Sequence, residues 1–202
     1  MIHAFLFDIG NVLLRFDFSE AMQKYVAASE ATDIDDASAR ILDVKVAYED
    51  GQIDRATFVE GAIKALGYRG TPEQFVAAWE DIFTLNEPMA ALVPKLARDF
   101  PLYLLSNTND IHHAYFTRRY RVFQYFRGGT FSHVAQRSKP GHEIYEMACA
   151  AHGLEPATTF FIDDLLPNIV TARSLGFHTH HYHPDHHGEF LTDLGAKGIA
   201  LR

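Results

Sequence analysis

This chain has almost no cysteine, no cationic surplus and no long apolar run. Cys149 is the only cysteine among 202 residues, which excludes an intrachain disulfide and any zinc site built on paired thiolates, and suits a reducing compartment. There are 18 Lys and Arg against 26 Asp and Glu, a net charge of -8. With no Lys/Arg-rich block to offset that balance, the chain is a poor candidate for binding a phosphate backbone, and nucleic acid is not an expected partner. No stretch approaches the roughly 18 to 20 apolar residues that cross a bilayer. The first apolar run lacks a basic lead and carries Asp8, so it does not read as a signal peptide. The expectation is a cytoplasmic protein with no membrane partner. A hydrophobic content of 48% is that of a globular chain, long enough for one or two domains.

What is there begins with the run over residues 3–8. An unbroken apolar stretch ending in a turn signal predicts a strand buried on both faces, as inside a parallel sheet. Asp8 closes it, and Gly10-Asn11 permits a tight turn beside it. A carboxylate at the carboxyl end of such a strand stands where open α/β sheets bind ligands. Helical spacing follows over 19–28, 35–46, 55–66 and 72–83, with Thr71-Pro72 as an N-cap and first-turn proline. Strand and helix then alternate: helix 88–98, strand 101–105, helix 109–120, strand 130–135, helix 142–152, strand 158–162, helix 168–176 and strand 178–182. Alternation predicts an α/β fold with a Rossmann-like parallel sheet. The helical block interrupting it reads as an inserted cap over 17–86, with core segments 1–16 and 87–202 and hinges at Phe16-Asp17 and Asn86-Glu87-Pro88. On the helix over 72–83, Phe75, Trp79 and Phe83 share one face and read as cap core.

Three later stretches answer Asp8. The strand before Ser106-Asn107-Thr108-Asn109 ends in a hydroxyl and amides, donors suited to phosphate oxygens. Lys139-Pro140 precedes a helix. The strand over 158–162 runs into Asp163-Asp164, followed by Asn168. Taken singly, the first is an ordinary capped turn, the second a surface lysine, and Asp8 itself the start of an Asx turn. Together they place three carboxylates at neighbouring strand ends, where each like-charged pair at about 4 Å costs on the order of 4 kcal/mol at an effective dielectric of about 20. A cation is required. Hard oxygen donors with no cysteine favour Mg²⁺ over zinc.

The stretches Phe7-Asp8-Ile9-Gly10-Asn11-Val12, Ser106-Asn107-Thr108-Asn109, Lys139-Pro140 and Asp163-Asp164 with Asn168 resemble, in order and spacing, the four motifs of the haloacid dehalogenase-like hydrolase superfamily. Within it the chain is most similar to the bacterial glucose-1-phosphate phosphatase-like branch, which has a cap stretch like Tyr48-Glu49-Asp50-Gly51-Gln52. The resemblance implies a Mg²⁺-dependent phosphatase for a small phosphorylated metabolite, such as a sugar 1-phosphate, working through an aspartyl-phosphate on Asp8. It assigns the metal to Asp8, the Gly10 carbonyl and Asp164, with Asp163 a ligand or a support. Ser106, the Asn107 amide and Lys139 would hold phosphoryl oxygens, and Lys139 would also offset the charge on Asp8.

One position departs from the resemblance. Most phosphatases of this superfamily carry a second aspartate two residues after the nucleophile, which protonates the leaving group; here it is Gly10. Either the leaving group is good, as an anomeric oxygen is, or His112 or Glu49 supplies the proton. Glu49 is also the expected substrate contact from the cap. Two other readings compete: a 2-haloacid dehalogenase, which shares the fold but works without metal, and a non-catalytic protein that binds phosphorylated ligands. His178, His180, His181, His183, His186 and His187 read as a solvated edge strand and loop; His178 and His180, on one strand face, are the pair a metal could share. No sequence feature fixes the assembly, and a monomer or weak homodimer is expected.

Overall fold

The structure, a computed structural model, describes residues 1–200. In chain order its elements are β1 (Ala4–Phe7), β2 (Leu14–Phe16), α1 (Ser19–Ala27), α2 (Ile34–Glu49), α3 (Arg55–Leu66), α4 (Pro72–Glu80), β3 (Phe83–Leu85) and α5 (Glu87–Asp99). They continue with β4 (Leu102–Ser106), α6 (Asp110–Arg119), β5 (Gly129–Phe131), α7 (Ser132–Ala135), α8 (His142–His152), β6 (Thr159–Asp163), α9 (Leu166–Ser174), β7 (His178–His181) and α10 (His187–Ala196). Five strands form one parallel sheet in the order β5-β4-β1-β6-β7. This is the α/β architecture that the alternation predicts.

The sheet is buried on both faces, and β1 shows why its sequence is apolar throughout. Phe5 and Phe7 point into one cluster with Leu92, Phe160 and Phe190. Ala4 and Leu6 point into the opposite cluster with Tyr145, Phe161 and Ile169. Side chains alternate along a strand, so a strand covered on both sides needs apolar residues at every position.

Helices α1 to α4 leave the sheet between β2 and β3 and gather around an apolar cluster of their own, with Tyr25, Phe58, Phe75 and Trp79 at 0% exposure. Its rings stack closely: Tyr48 on Phe58 at 4.3 Å and Tyr25 on Phe75 at 4.6 Å between centroids. A capping box between Thr71 and Gln74, with Pro72 in the first turn, starts α4, as Thr71-Pro72 predicts. Phe75 and Trp79 are core residues of this block, as expected.

Phe83 is not. Helix α4 ends at Glu80, and Phe83 belongs to β3, which pairs antiparallel with β2 in the register Leu14↔Leu85, Arg15↔Thr84, Phe16↔Phe83. The block is therefore tied to the sheet by a two-stranded ribbon. Asn86, expected at a hinge, is pinned instead: it is 2% exposed, and its Nδ2 donates to the Val12 carbonyl at 2.7 Å and the Tyr182 hydroxyl at 2.9 Å. Residues 132–135, expected as strand, form the short helix α7, and at His187, where the expected loop ends, α10 begins and runs over 187–196. Edge strand β7 is where the histidine-rich stretch predicts it. His178 bonds the Ala157 carbonyl while His180 bonds Asp193, so the two do not converge on one site.

Phe75→Ala should cost about 3–5 kcal/mol, because it empties the centre of the helical block. Urea unfolding followed by Trp79 fluorescence measures the loss, and a cost below about 1 kcal/mol would show that this cluster is not the block's core.

Candidate active site

The register of β1 decides where its carboxylate goes. Phe7 is opposite Leu104 of β4 and Ile162 of β6, so Asp8 emerges beside the ends of both strands, and its N–H bonds the Ile162 carbonyl at 2.9 Å. Carboxylate oxygens of Asp8, Asp163 and Asp164 lie within 4.8 Å of one another, and among the described residues they are the one such group able to hold an ion.

Lys139 holds two of them together. Its ammonium lies 2.8 Å from Asp8 and 2.6 Å from Asp163, and it donates to the Leu105 carbonyl at 2.9 Å. Three N–H bonds meet three acceptors, so a phosphoryl oxygen would have to share one. Asp163 is equally occupied: besides Lys139 it accepts from Asn168 Nδ2 at 2.9 Å and the Leu165 N–H at 2.8 Å. That leaves Asp8 and Asp164 as the freer oxygens, and Asp164 is aimed by Asn11, whose Nδ2 donates to it at 2.9 Å. Asn11 adopts a left-handed φ of 51°, which asparagine tolerates better than most residues. His181 also secures this corner, its Nε2 lying 2.8 Å from the Asp164 carbonyl.

The electrostatics follow from burial. Asp8 is pushed up to about 7, first by its removal from water, with Asp163 and Asp164 adding and Lys139 opposing. Asp164 is raised by the same cause. For Lys139, burial works against the charge, but the two carboxylates outweigh it and its pKa is raised. Two hard, crowded carboxylates whose charged forms are disfavoured by burial are suited to a divalent cation with oxygen preference.

Two expectations need correcting. The Asn107 side-chain amide is not available to a phosphate, because it clasps the Lys139 backbone in both directions, with Nδ2 to the carbonyl and N–H to Oδ1, each at 2.9 Å. His112 is not a proton donor. Its Nδ1 accepts from Asn109 at 3.0 Å, its Nε2 meets the Trp79 carbonyl at 2.9 Å, and burial pushes its pKa down to about 4. Stacked on Trp79 at 5.3 Å, it is a neutral piece of the wall.

Above these residues is a cavity of about 310 Å³. Asp8, Gly10, Ser106, Asn107, Lys139 and Asp164 form its polar floor, and Phe16, Phe18 and Phe83 stand on its walls. Glu49 lines it from α2 beside Lys45, which sits one helical turn earlier and carries no motif of its own. The end of α2 is fastened to the core. Ser132 Oγ donates to the Glu49 carbonyl at 2.5 Å, Gln136 Nε2 donates to the Gly51 carbonyl at 3.0 Å, Asp50 accepts from Ser138, and Tyr48 bonds Asp110. Gly51 has a φ of +68°, and a Cβ there would meet the His133 carbonyl oxygen at 2.3 Å.

A family model for haloacid dehalogenase-like hydrolases matches residues 2–176. The chain belongs to the haloacid dehalogenase-like hydrolase family. It is 24% identical to the D-ribitol-5-phosphate phosphatase of Bacteroides thetaiotaomicron, over 96% of this chain and 97% of that one. A family enzyme from the same organism, crystallised with magnesium and inorganic phosphate, superposes with a TM-score of 0.80 at 30% identity, over 89% of this chain and 93% of that one. A predicted hydrolase of the family from Porphyromonas gingivalis superposes with a TM-score of 0.81 at 26% identity, over 99% of each chain. Among the described residues, no helix is long and apolar enough to cross a membrane.

Lys139→Met should destabilise the metal-free protein by about 3–5 kcal/mol at pH 8, since it strands buried carboxylates without a partner. Without Lys139 the folded-state pKa of Asp8 rises further above its unfolded value. Stability from that group is present at low pH and lost as pH rises through the folded pKa. The deficit against the native protein should therefore shrink toward pH 5. Denaturant titrations at both pH values check this, and a deficit that grows on acidification would contradict the assignment.

Proposed function

We propose that this hydrolase is a Mg²⁺-dependent phosphatase of small phosphorylated metabolites. The observation that carries the reading is Asp8, a buried carboxylate 2.8 Å from Lys139, on the floor of a cavity and beside two further carboxylates. Asp8 attacks phosphorus and carries the phosphoryl group as an aspartyl-phosphate, which water then cleaves. Asp8, Asp164 and the Gly10 carbonyl hold the metal, and Asp163 serves as the support that fixes Lys139. When bound, the ion offsets the charge of the phosphoryl group and of the carboxylates around it. Ser106 and the backbone N–H of Asn107 take phosphoryl oxygens, while Lys139 keeps Asp8 ionised and in place.

Residues 17–86 act as a cap on the core formed by 1–16 and 87–202. With Phe16, Phe18 and Phe83 on its walls, the cavity excludes water from the intermediate, and the β2–β3 ribbon is the joint about which the cap opens. A cavity of about 310 Å³ fits a sugar or sugar-alcohol phosphate. The crowded carboxylates have no use in a metal-free halide displacement, so nothing in the site favours the dehalogenase reading.

The test is phosphate release from para-nitrophenyl phosphate, sugar 1-phosphates and sugar-alcohol phosphates, with and without Mg²⁺. Native protein should hydrolyse the aryl phosphate and at least one metabolite, only with Mg²⁺, and Asp8→Asn should be inactive on all of them. Mg²⁺ should also raise the Tm of the native protein and not that of Asp164→Asn. Halide release from a 2-haloacid without Mg²⁺, or phosphate release by Asp8→Asn, would overturn the reading.

A further inference from the structure

Gly10 offers no acid to the leaving group, and its surroundings do not make room for one. A Cβ on Gly10 would lie 3.0 Å from Cε1 of Phe16 and 3.9 Å from Oδ2 of Asp8, so a second carboxylate there would have to shift the Phe16 ring. The proton must come from another wall of the same cavity. Lys139 has committed its three N–H groups to Leu105, Asp8 and Asp163. Both ring nitrogens of His112 are occupied. Asp164 is held by Asn11 and belongs with the metal. The remaining carboxyl on the cavity wall is Glu49.

We infer that Glu49 is the catalytic acid and base of this enzyme, delivered from the cap to do what a residue at position 10 cannot. The inference rests on the phosphatase reading above. Its geometry is that of a held group. The backbone carbonyl of Glu49 is fixed by Ser132 at 2.5 Å, its carboxylate lies 3.2 Å from Lys45, and its side chain is only 26% exposed. An i,i+4 ion pair is ordinarily a solvated feature of a helix surface, but here both partners turn inward to the substrate cavity. The groups around Glu49 are Lys45 one turn back, Asp50 beside it, and Asp8, Lys139, Asp164 and neutral His112 across the cavity. Burial is the largest influence on it and raises its pKa, with Lys45 pulling down and Asp50 adding slightly. That moves a carboxyl toward the range in which it can both give and take a proton near neutrality.

The steps balance on these two residues. Asp8 Oδ attacks phosphorus, the bond from phosphorus to the leaving oxygen breaks, and the Glu49 carboxylic acid gives its proton to that oxygen. Water then attacks the phosphorus of the aspartyl-phosphate and gives a proton to the Glu49 carboxylate. The bond to Asp8 breaks, phosphate leaves, and both side chains return to their starting states.

The experiment is rapid-mixing kinetics of Glu49→Gln with para-nitrophenyl phosphate and Mg²⁺. A nitrophenolate leaving group needs no proton, so the first step should survive in the variant while the second loses its base. The expected trace is a burst of one nitrophenolate per enzyme, followed by turnover slowed by about a hundred- to ten-thousand-fold. A residue that only supported the fold or bound substrate would lower burst and turnover together, and that result, or unchanged turnover, would overturn the inference. A second variant, Lys45→Met, keeps the carboxyl but frees it of its cation. The Glu49 pKa then rises, and the acidic limb of the native pH profile should move to higher pH; a fixed limb would count against Glu49. If native protein shows no Asp8-dependent hydrolysis of the aryl phosphate, the phosphatase reading falls and this inference falls with it, an outcome distinct from the loss of Glu49 alone.

Discussion

The structure depends on one buried ammonium group shared by two buried carboxylates. Lys139 is 5% exposed, Asp8 7% and Asp163 0%. Placing any one of these charges alone in the interior would be prohibitive. Their mutual contacts, with Asn168, the Leu165 N–H and the Leu105 carbonyl filling the remaining valences, make the cluster tenable. It also ties together the ends of β1, β4 and β6 with the loop before α8, four segments far apart in sequence. Once that cluster forms, the positions of the other floor residues are largely determined. Asn107 clasps the Lys139 backbone, Ser106 follows Leu105, and Asp164 sits where Asn11 can hold it.

The helical block over α1 to α4 supplies the opposite wall of the cavity in a different way. Its own core is built of stacked aromatic rings, Ile111 of α6 joins that core, and the Tyr48–Gly51 segment is further fastened by hydrogen bonds to Asp110, Ser132 and Gln136. Such bonds contribute about 0.5–1.5 kcal/mol each against competing water. Another, from the Ser138 hydroxyl to the Asp50 carboxylate, anchors this segment to the residue just before Lys139.

Much of this was legible in the sequence because strand ends are where chemistry and pattern coincide. Asp8, Ser106, Lys139 and Asp163-Asp164 each follow an apolar run or precede a helix start, and a parallel sheet gathers such ends along one edge. What escaped was set by pairing or packing. Leu14-Arg15-Phe16 and Phe83-Thr84-Leu85 are too short to show a strand period, and Phe83 continues the helical spacing of Phe75 and Trp79. Ser132–Ala135 is a single turn after a strand, and α10 is masked by the histidines that lead into it and by Gly188 and Gly195. His112 looked chemical because histidine titrates near neutrality, but burial and two hydrogen bonds remove it from that role. Asn11 and Asn168 stand within the motif stretches, but which carboxylate each one reaches, Asp164 for Asn11 and Asp163 for Asn168, is set by the fold.

The claim that bears the most weight is that Asp8 itself takes up the phosphoryl group. It is tested most directly by acid-quenching the enzyme during turnover of para-nitrophenyl phosphate with Mg²⁺ and mapping the adduct by peptide mass spectrometry. The account predicts one added phosphoryl group, on the peptide carrying Asp8, sensitive to hydroxylamine and missing from Asp8→Asn. A stable phosphoryl group on any other residue, or turnover of the native enzyme that leaves Asp8 unmodified at every quench time, would contradict it.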